Sequence, residues 1–141
     1  MATTVDTVRT RLAAQVADAI PGLNCYAYWP EMAQVPCFII LPSAPDAADQ
    51  VMGANPTLAE HQFEGLVVVS MAGSLMQPQQ DLAVLTDKAG PSSIVRAMLS
   101  DRKLGGASIA IFCDNWDRED VEPINGEEFL GQRLSFRVWV E

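Results

Sequence analysis

The sequence has very little of what catalytic and metal sites are usually built from. It contains one histidine, His61, and three widely spaced cysteines that include no Cys-x-x-Cys pair: Cys25, Cys37 and Cys113. Zinc sites usually need several such ligands, and serine or cysteine nucleophiles need a neighbouring base. We therefore expect buried free thiols in a reducing compartment, a surface or sheet-edge His61, and no cofactor or metal.

Long hydrophobic runs and basic clusters are also missing. Hydrophobic residues make up 49% of the 141 residues, yet no run approaches the about 20 apolar residues of a membrane-spanning helix. The first residues lack the basic start and apolar stretch of a signal peptide. Nine Lys and Arg against 18 Asp and Glu give a net charge of −9, which disfavours binding to nucleic acid or to an anionic membrane. We expect a soluble protein made inside the cell.

The apolar spacing predicts three helices in a single domain that covers residues 1–141. Apolar residues three and four apart predict an amphipathic helix over residues 4–20, with Thr3 or Thr4 at its cap and Arg9 off the apolar face. A second helix is predicted over residues 78–89. Ser92 or Ser93 then caps a third helix.

Five segments with strand patterns predict a sheet. They cover residues 23–29, 36–41, 60–71, 107–114 and 130–140, with a tight turn between the first two. In the last segment, core-type residues alternate with Arg133, Ser135, Arg137 and Trp139. Short links between successive strands favour an α+β fold, a mainly antiparallel sheet of about five strands with the N-terminal helix and two further helices packed on one face.

Two segments without periodicity are candidate partner-binding regions. Residues 42–58 predict a long flexible loop, whose candidate docking residues are Asp46, Asp49, Met52 and Asn55. An acidic connection follows residue 113 and carries Asp114, Asp117, Glu119, Asp120 and Glu122. Its spacing does not match an EF-hand loop, and Arg118 lies within it. A solvated hairpin with a turn at Asn125-Gly126 is therefore favoured over a cation site.

Trp139 leaves two interpretations open. It lies on the more polar face of the last predicted strand, where an exposed aromatic side chain marks a protein contact. A helix that covers this face would instead make Trp139 part of the core.

Several motifs occur in an order that carries a resemblance. They are Ile20-Pro21-Gly22-Leu23, Tyr26-Ala27-Tyr28-Trp29-Pro30, the strand at residues 36–43, the strand at residues 63–70, Ala89-Gly90-Pro91-Ser92-Ser93-Ile94, Asp101-Arg102-Lys103-Leu104-Gly105-Gly106, and Asn125-Gly126-Glu127-Glu128-Phe129-Leu130-Gly131. Taken together along nearly the whole chain, they resemble the tail terminator proteins of siphophages, the bacteriophages with long non-contractile tails.

The resemblance implies a structural virion protein and not an enzyme. Tail terminators form a ring, typically a hexamer, that caps the tail tube, stops its polymerisation and provides the head-joining surface. The implied partners are further copies of the chain, the major tail tube protein and the head–tail connector or stopper protein. Genome DNA passes through the lumen without specific binding. The protein would be made in the host cytoplasm and end in the tail or neck of the virion, with no membrane partner.

On this interpretation, the acidic connection and Trp139 are candidate lumen or interface residues. An acidic lumen repels phosphate and lets DNA slide. The nearest alternative is a head–tail connector, stopper or tail completion protein of the neck, because these share the size and the α+β plan. A small acidic metal-binding domain, an enzyme or a small-molecule binding module would need a ligand set, a base or a pocket.

Overall fold

The computed structural model describes residues 5–42, 50–51, 59–71, 76–87, 90–106, 108, 110–124 and 127–140. Within them lie three helices, α1 (Val5–Ala19), α2 (Met76–Thr86) and α3 (Ile94–Leu99). The strands are β1 (Asn24–Tyr26), β2 (Cys37–Pro42), β3 (Gln50–Val51), β4 (Ala59–Ser70), β5 (Ala110–Trp116), β6 (Asp120–Ile124) and β7 (Glu127–Val140). The α+β class predicted from the sequence is confirmed. No described helix is long and apolar enough to cross a membrane.

The sheet is built around two long strands. Its main path runs β1-β2-β4-β7-β5, while β3 pairs with the beginning of β4 and β6 pairs with the beginning of β7. Strands β4 and β7 pair antiparallel over residues 59–70 and 129–140. Strands β5 and β6 follow one another along the other side of β7. The sheet is therefore mainly antiparallel, as predicted, and one pair of strands departs from that pattern.

Strands β1 and β2 run parallel, so the predicted tight turn between them was wrong. Asn24 pairs with Cys37 and Tyr26 with Ile39, and residues 27–36 must carry the chain back to the beginning of the pair. The Asn24 side chain donates to the Gln34 carbonyl at 3.0 Å, and the Tyr26 hydroxyl accepts the Gln34 backbone N–H at 3.1 Å. These bonds hold the returning segment beside β1.

Two short strands lie in segments predicted as loops. Strand β3 falls within residues 42–58, and β6 falls within the acidic connection. Because β4 and β7 extend beyond β2 and β5, their ends expose backbone donors and acceptors that β3 and β6 pair. The proposed docking residues Asp46, Asp49, Met52 and Asn55 lie outside the described residues, and their role stays a prediction.

Helix α1 matches its predicted extent and apolar face, with Val8, Leu12 and Val16 fully buried. Thr3 and Thr4 lie outside the described residues. The prediction for Arg9 was wrong, because its side chain is only 7% exposed. Its guanidinium Nε donates to the Ala27 carbonyl at 2.7 Å, and Nη2 donates to the Ile40 carbonyl at 2.6 Å. Buried donors are tolerated when acceptors satisfy them in this way.

The other helices also pack as their sequences predict. Leu82 and Leu85 are the buried face of α2. The Ser93 hydroxyl caps α3 by accepting the backbone N–H of Arg96 at 3.1 Å. Ile94 and Met98 of α3 are fully buried, and Leu104 packs into the same core.

The sheet has an inner face under the helices and an outer face. The inner core contains side chains from all three helices and from β2, β4, β5 and β7. A smaller outer core holds Cys37, Ile39, Leu66, Val68 and Ile124, with Ala33 and Val35 of the β1–β2 connection packed against it. The connection therefore covers the outer face only at the β1–β2 end of the sheet.

Gly65 makes room for the inner aromatic core. A Cβ atom at this position would lie 2.5 Å from Cε1 and 2.7 Å from Cζ of Phe38, a fully buried ring. Replacing a strand glycine by alanine usually stabilises, but Gly65→Ala should destabilise by about 1–3 kcal/mol because the ring has no free space. Chemical denaturation measures this change in the free energy of unfolding.

The matched control is the same substitution in a Phe38→Leu background. There the clashing ring atoms are gone, so Gly65→Ala should cost much less. If the two substitutions add without coupling, Phe38 is not the reason for glycine at this position.

Candidate protein-interaction surface

Half of the outer face carries polar, charged and aromatic side chains. It is formed by β5, β7 and the first half of β4. The predicted alternation along β7 is confirmed, with Phe136 and Val138 in the inner core and Arg137 and Trp139 on the outer face. The three described helices all contribute to the inner core, so none of them covers Trp139.

Aromatic and cationic groups meet on this half. The ring centroids of Phe112 and Trp139 lie 4.9 Å apart, and the Arg137 guanidinium carbon lies 5.2 Å from the centre of the Phe112 ring. Both geometries fall in the range of favourable aromatic and cation–π contacts. The three side chains therefore form one continuous patch across β5 and β7.

Two ion pairs border this patch. Arg137 Nη2 lies 3.2 Å from Asp114 Oδ1, and Arg133 Nη1 lies 3.2 Å from Glu64 Oε2. All four side chains are partly exposed, so each pair contributes at most about 1 kcal/mol. Their main effect is to orient the arginines. We call the six residues the outer strip: Glu64, Phe112, Asp114, Arg133, Arg137 and Trp139.

Two donors of the outer strip are unsatisfied. Among the described residues, no acceptor bonds Nε1 of Trp139 or Nε of Arg137, and both atoms are shielded from solvent. An unpaired buried donor costs about 1–3 kcal/mol. Nε1 of Trp116, which packs against the inner core, is a third such donor. The two donors of the outer strip lie on the face without a covering helix, where a protein contact that reorders the strip can supply acceptors.

The acidic residues after residue 113 do not all lie on the same side of the sheet. Asp114 lies on the outer face with Arg137, while Glu119 accepts from Gln79 Nε2 of α2 at 2.8 Å, on the helix side of the sheet. The Asp120 carboxylate accepts the backbone N–H of Val121 at 2.8 Å. No group of three or more His, Cys, Asp or Glu in the described part of the chain could hold a metal ion. The side chain of Glu122 lies outside that part.

A shallow cleft of about 450 Å³ lies where β5 passes into β6. Its lining includes the exposed acidic residues Asp117, Glu119 and Asp120, together with Arg118 and Arg133. Charges of both signs give a mixed polar surface here. The predicted lumen role of these carboxylates stays a prediction.

The expected surface position of His61 was wrong. Its side chain is 6% exposed, and its ring centroid lies 6.3 Å from that of Phe63 in the inner core. The polar neighbours Gln62 and Glu64 suggested an exposed segment. They belong to the alternation of a central strand, in which His61 points inward and its neighbours point outward.

The three thiols are free, as predicted, with Cys37 buried and Cys25 and Cys113 partly buried. Burial raises the pKa of Cys25 to about 12 and the pKa values of Cys37 and Cys113 to about 11. The thiolate is the nucleophile and the metal ligand. All three groups are therefore in the unreactive form at neutral pH.

Sequence reasoning identified Trp139 but missed Phe112 and Arg9. The alternation at Ile111 and Cys113 already placed Phe112 on the outer face. Its position beside Trp139 depends on the register between β5 and β7, which no pattern within one strand reveals. Burial of Arg9 depends on two carbonyl groups far along the chain.

The cysteine pKa values predict slow labelling of the folded protein. At neutral pH, the native thiols should react with a maleimide at least about 100-fold more slowly than after unfolding in urea, where the pKa returns to about 8.5. Mass spectrometry of quenched samples measures the rates. Met32→Cys, at an 80% exposed position, is the matched control and should label fast in the folded state. A native thiol that labels as fast as this control would contradict the assignment of inert thiols.

Similarity to known proteins does not extend the interpretation of this surface. No model of a known protein family and no curated protein matches the chain. The functional argument therefore rests on the chain's own residues and geometry.

Proposed function

We propose that this chain is a structural virion protein, the tail terminator of a long-tailed bacteriophage. In this role, copies of the chain form a ring, of six subunits in the resembled family, that caps the tail tube and stops its polymerisation. The ring also provides the surface to which the head's connector or stopper protein binds. The proposal begins from the order of motifs along the sequence and assigns the chain no catalytic step.

The observation that carries the proposal is the outer strip. Phe112 and Trp139 pack together on an outward sheet face, and the Trp139 indole and the Arg137 guanidinium each have an unsatisfied donor. Aromatic residues and arginine are enriched where proteins bind proteins. A capping protein needs such a surface because it must bind a tube ring, a connector and its own copies.

The open edge of β5 also supports assembly. Along the main path of the sheet, β5 is the terminal strand next to β7. An edge strand presents backbone donors and acceptors that a strand of another protein can pair. The edge and the outer strip share Phe112 and Asp114, so one partner can engage both.

The charge of the chain fits a passage for DNA. A net charge of −9 repels phosphate. Where β5 passes into β6, the surface is mixed, with Arg118 and Arg133 beside Asp117, Glu119 and Asp120, so the repulsion comes from the charge of the whole chain. A lumen with this character lets DNA pass without binding it. On this proposal, the binding partners of the chain are proteins, and DNA passes through the lumen without binding to it.

Disabling the gene in its phage tests the proposal. Without the terminator, nothing ends tube growth at the head-proximal end, so electron microscopy should show overlong tail tubes without heads. Tails of normal length beside separate heads would point to a connector or stopper instead. Intact, infectious particles would contradict both roles.

Complementation with variants tests the surface. Trp139→Ala should leave the chain folded by circular dichroism but restore at least about tenfold fewer infectious particles than the wild type, because aromatic anchors dominate interface energy. The matched control is Val121→Ala, which trims an exposed apolar side chain of β6 outside the outer strip. Equal rescue by both variants would exclude the outer strip as the binding surface.

A further inference from the structure

A second exposed apolar feature lies far from the outer strip, in the connection between β1 and β2. Trp29 is 50% exposed and Met32 is 80% exposed, within four residues of each other. We call this pair the projection. Tyr28, directly before Trp29, is 47% exposed, and a contiguous apolar patch marks a contact site more reliably than a single exposed residue does.

The projection begins from a fixed base. The Arg9 guanidinium carbon lies 4.1 Å from the centre of the Tyr28 ring, and the Tyr28 hydroxyl donates to Asp6 Oδ1 at 2.6 Å. Arg9 also holds the Ala27 carbonyl at 2.7 Å. The residues directly before Trp29 are therefore tied to α1, which lowers the entropy lost when Trp29 is bound.

An apolar groove of about 440 Å³ lies between helix α2, the end of β4 and the residues directly before β1 and β2. Its apolar lining includes Pro21, Val35, Pro36, Val84 and Leu85. Val84 is 54% exposed and lies on the outward side of α2, whose buried residues are Pro78, Leu82 and Leu85. Asp81 also lines the groove. Its Oδ1 accepts from Gln77 Nε2 at 2.8 Å, so Oδ2 is the acceptor that it can offer to a bound group.

The groove and the projection have complementary chemistry. An indole ring combines a large apolar surface with a single N–H donor, and it binds best where an apolar pocket has an acceptor nearby. The exposures of Trp29 and Met32 mean that the projection does not fill the groove of its own chain. Both halves of the contact are nevertheless present on every copy.

We propose that the projection of one copy of this chain inserts into the groove of a second copy. Trp29 then packs against Val84 and Pro36 of the neighbour, and its indole N–H donates to the neighbour's Asp81. Because the two halves are different surfaces, the contact is head-to-tail and each copy can make it twice. Such contacts build a ring when the rotation closes, and an open filament when it does not.

The contact is weak in a single pair of molecules. A stable complex buries about 1,200–2,000 Å² in total, and insertion of one partly buried Trp and one Met supplies only a fraction of that. In a closed ring every copy makes two such contacts, so losing one copy breaks two contacts at once. This makes the ring more stable than a single pair of molecules. The interpretation as a ring rests on the proposed function, whereas the contact between copies does not.

Cross-linking between two labelled variants tests the contact. One sample contains the Met32→Cys chain, and the other contains an isotopically labelled Val84→Cys chain. The two are mixed at high concentration and treated with a short bismaleimide. Mass spectrometry then identifies which chains are linked. We expect links between the two variants and none within either variant alone. The native thiols react slowly, because Cys37 is buried and Cys25 and Cys113 are partly buried with raised pKa values. In the control, Val121→Cys of β6 replaces Val84→Cys.

Adding Trp29→Ala to the Met32→Cys chain should reduce the yield of links to the Val84→Cys chain about tenfold or more. Adding Val121→Ala to the Met32→Cys chain should leave that yield unchanged. Links between two Met32→Cys chains would mean a symmetric contact and overturn the proposal. So would equal links to Val121→Cys, or no links from chains that are folded and label fully with a monofunctional maleimide.

The outcomes separate the contact from the proposed function. If the links form but tails have normal length without the gene, the head-to-tail contact stands and the terminator role fails. If tails are overlong without the gene but no links form, the terminator role stands and its copies meet through another surface.

Discussion

The antiparallel ladder between β4 and β7 determines which side of this molecule each neighbouring residue faces. Its register places Gly65 opposite Leu134 and Trp139 opposite Glu60. A slip of one residue would turn Phe136 and Val138 away from the helices and bury Arg137 among them. Gly65 helps to fix the register, because only a residue without Cβ leaves space for the Phe38 ring. The inner core and the outer face are two consequences of this one alignment.

The same ladder explains why the outer strip is available for binding. The helices all lie on the inner face, and the β1–β2 connection covers only the end of the outer face near Ile39 and Leu66. Farther along, β7 and β5 bring Trp139, Arg137 and Phe112 together without a covering element among the described residues. A chain with few groups suited to catalysis thus places two partly exposed aromatic side chains and two arginines on a face that another protein can reach. Assembly is the function that uses such a surface most directly.

The sequence predicts a helix or strand correctly where the residues of that one segment determine its type and its buried face. The spacing of Val8, Leu12 and Val16 identified α1, and the alternation from Leu130 to Val140 identified both faces of β7. Relations between segments were not predictable to the same extent. The parallel direction of β1 depends on bonds from Asn24 and Tyr26 to Gln34. Strands β3 and β6 exist because the long strands have free ends to pair.

In the candidate site, too, features within one strand were predictable and contacts between strands were not. The sequence placed Trp139 on the correct face, but its neighbour Phe112 follows from the register of β5. The acidic residues looked like one cluster because they are adjacent in sequence. Alternating directions along β5 and the junction before β6 separate Asp114 from Glu119. Asp117, Glu119 and Asp120 do line one cleft, so the sequence grouped these three correctly and was wrong to add Asp114.

If the chain is a tail terminator, as proposed, the most direct test is a cryo-electron microscopy map of the head-proximal end of the tail of its phage. The account predicts a ring of copies of this chain between the last tube ring and the connector, with Trp139 and Phe112 buried against a protein neighbour. A ring built from a different chain would contradict the assigned function. A ring of this chain with the outer strip open to solvent would contradict the surface from which the function was inferred.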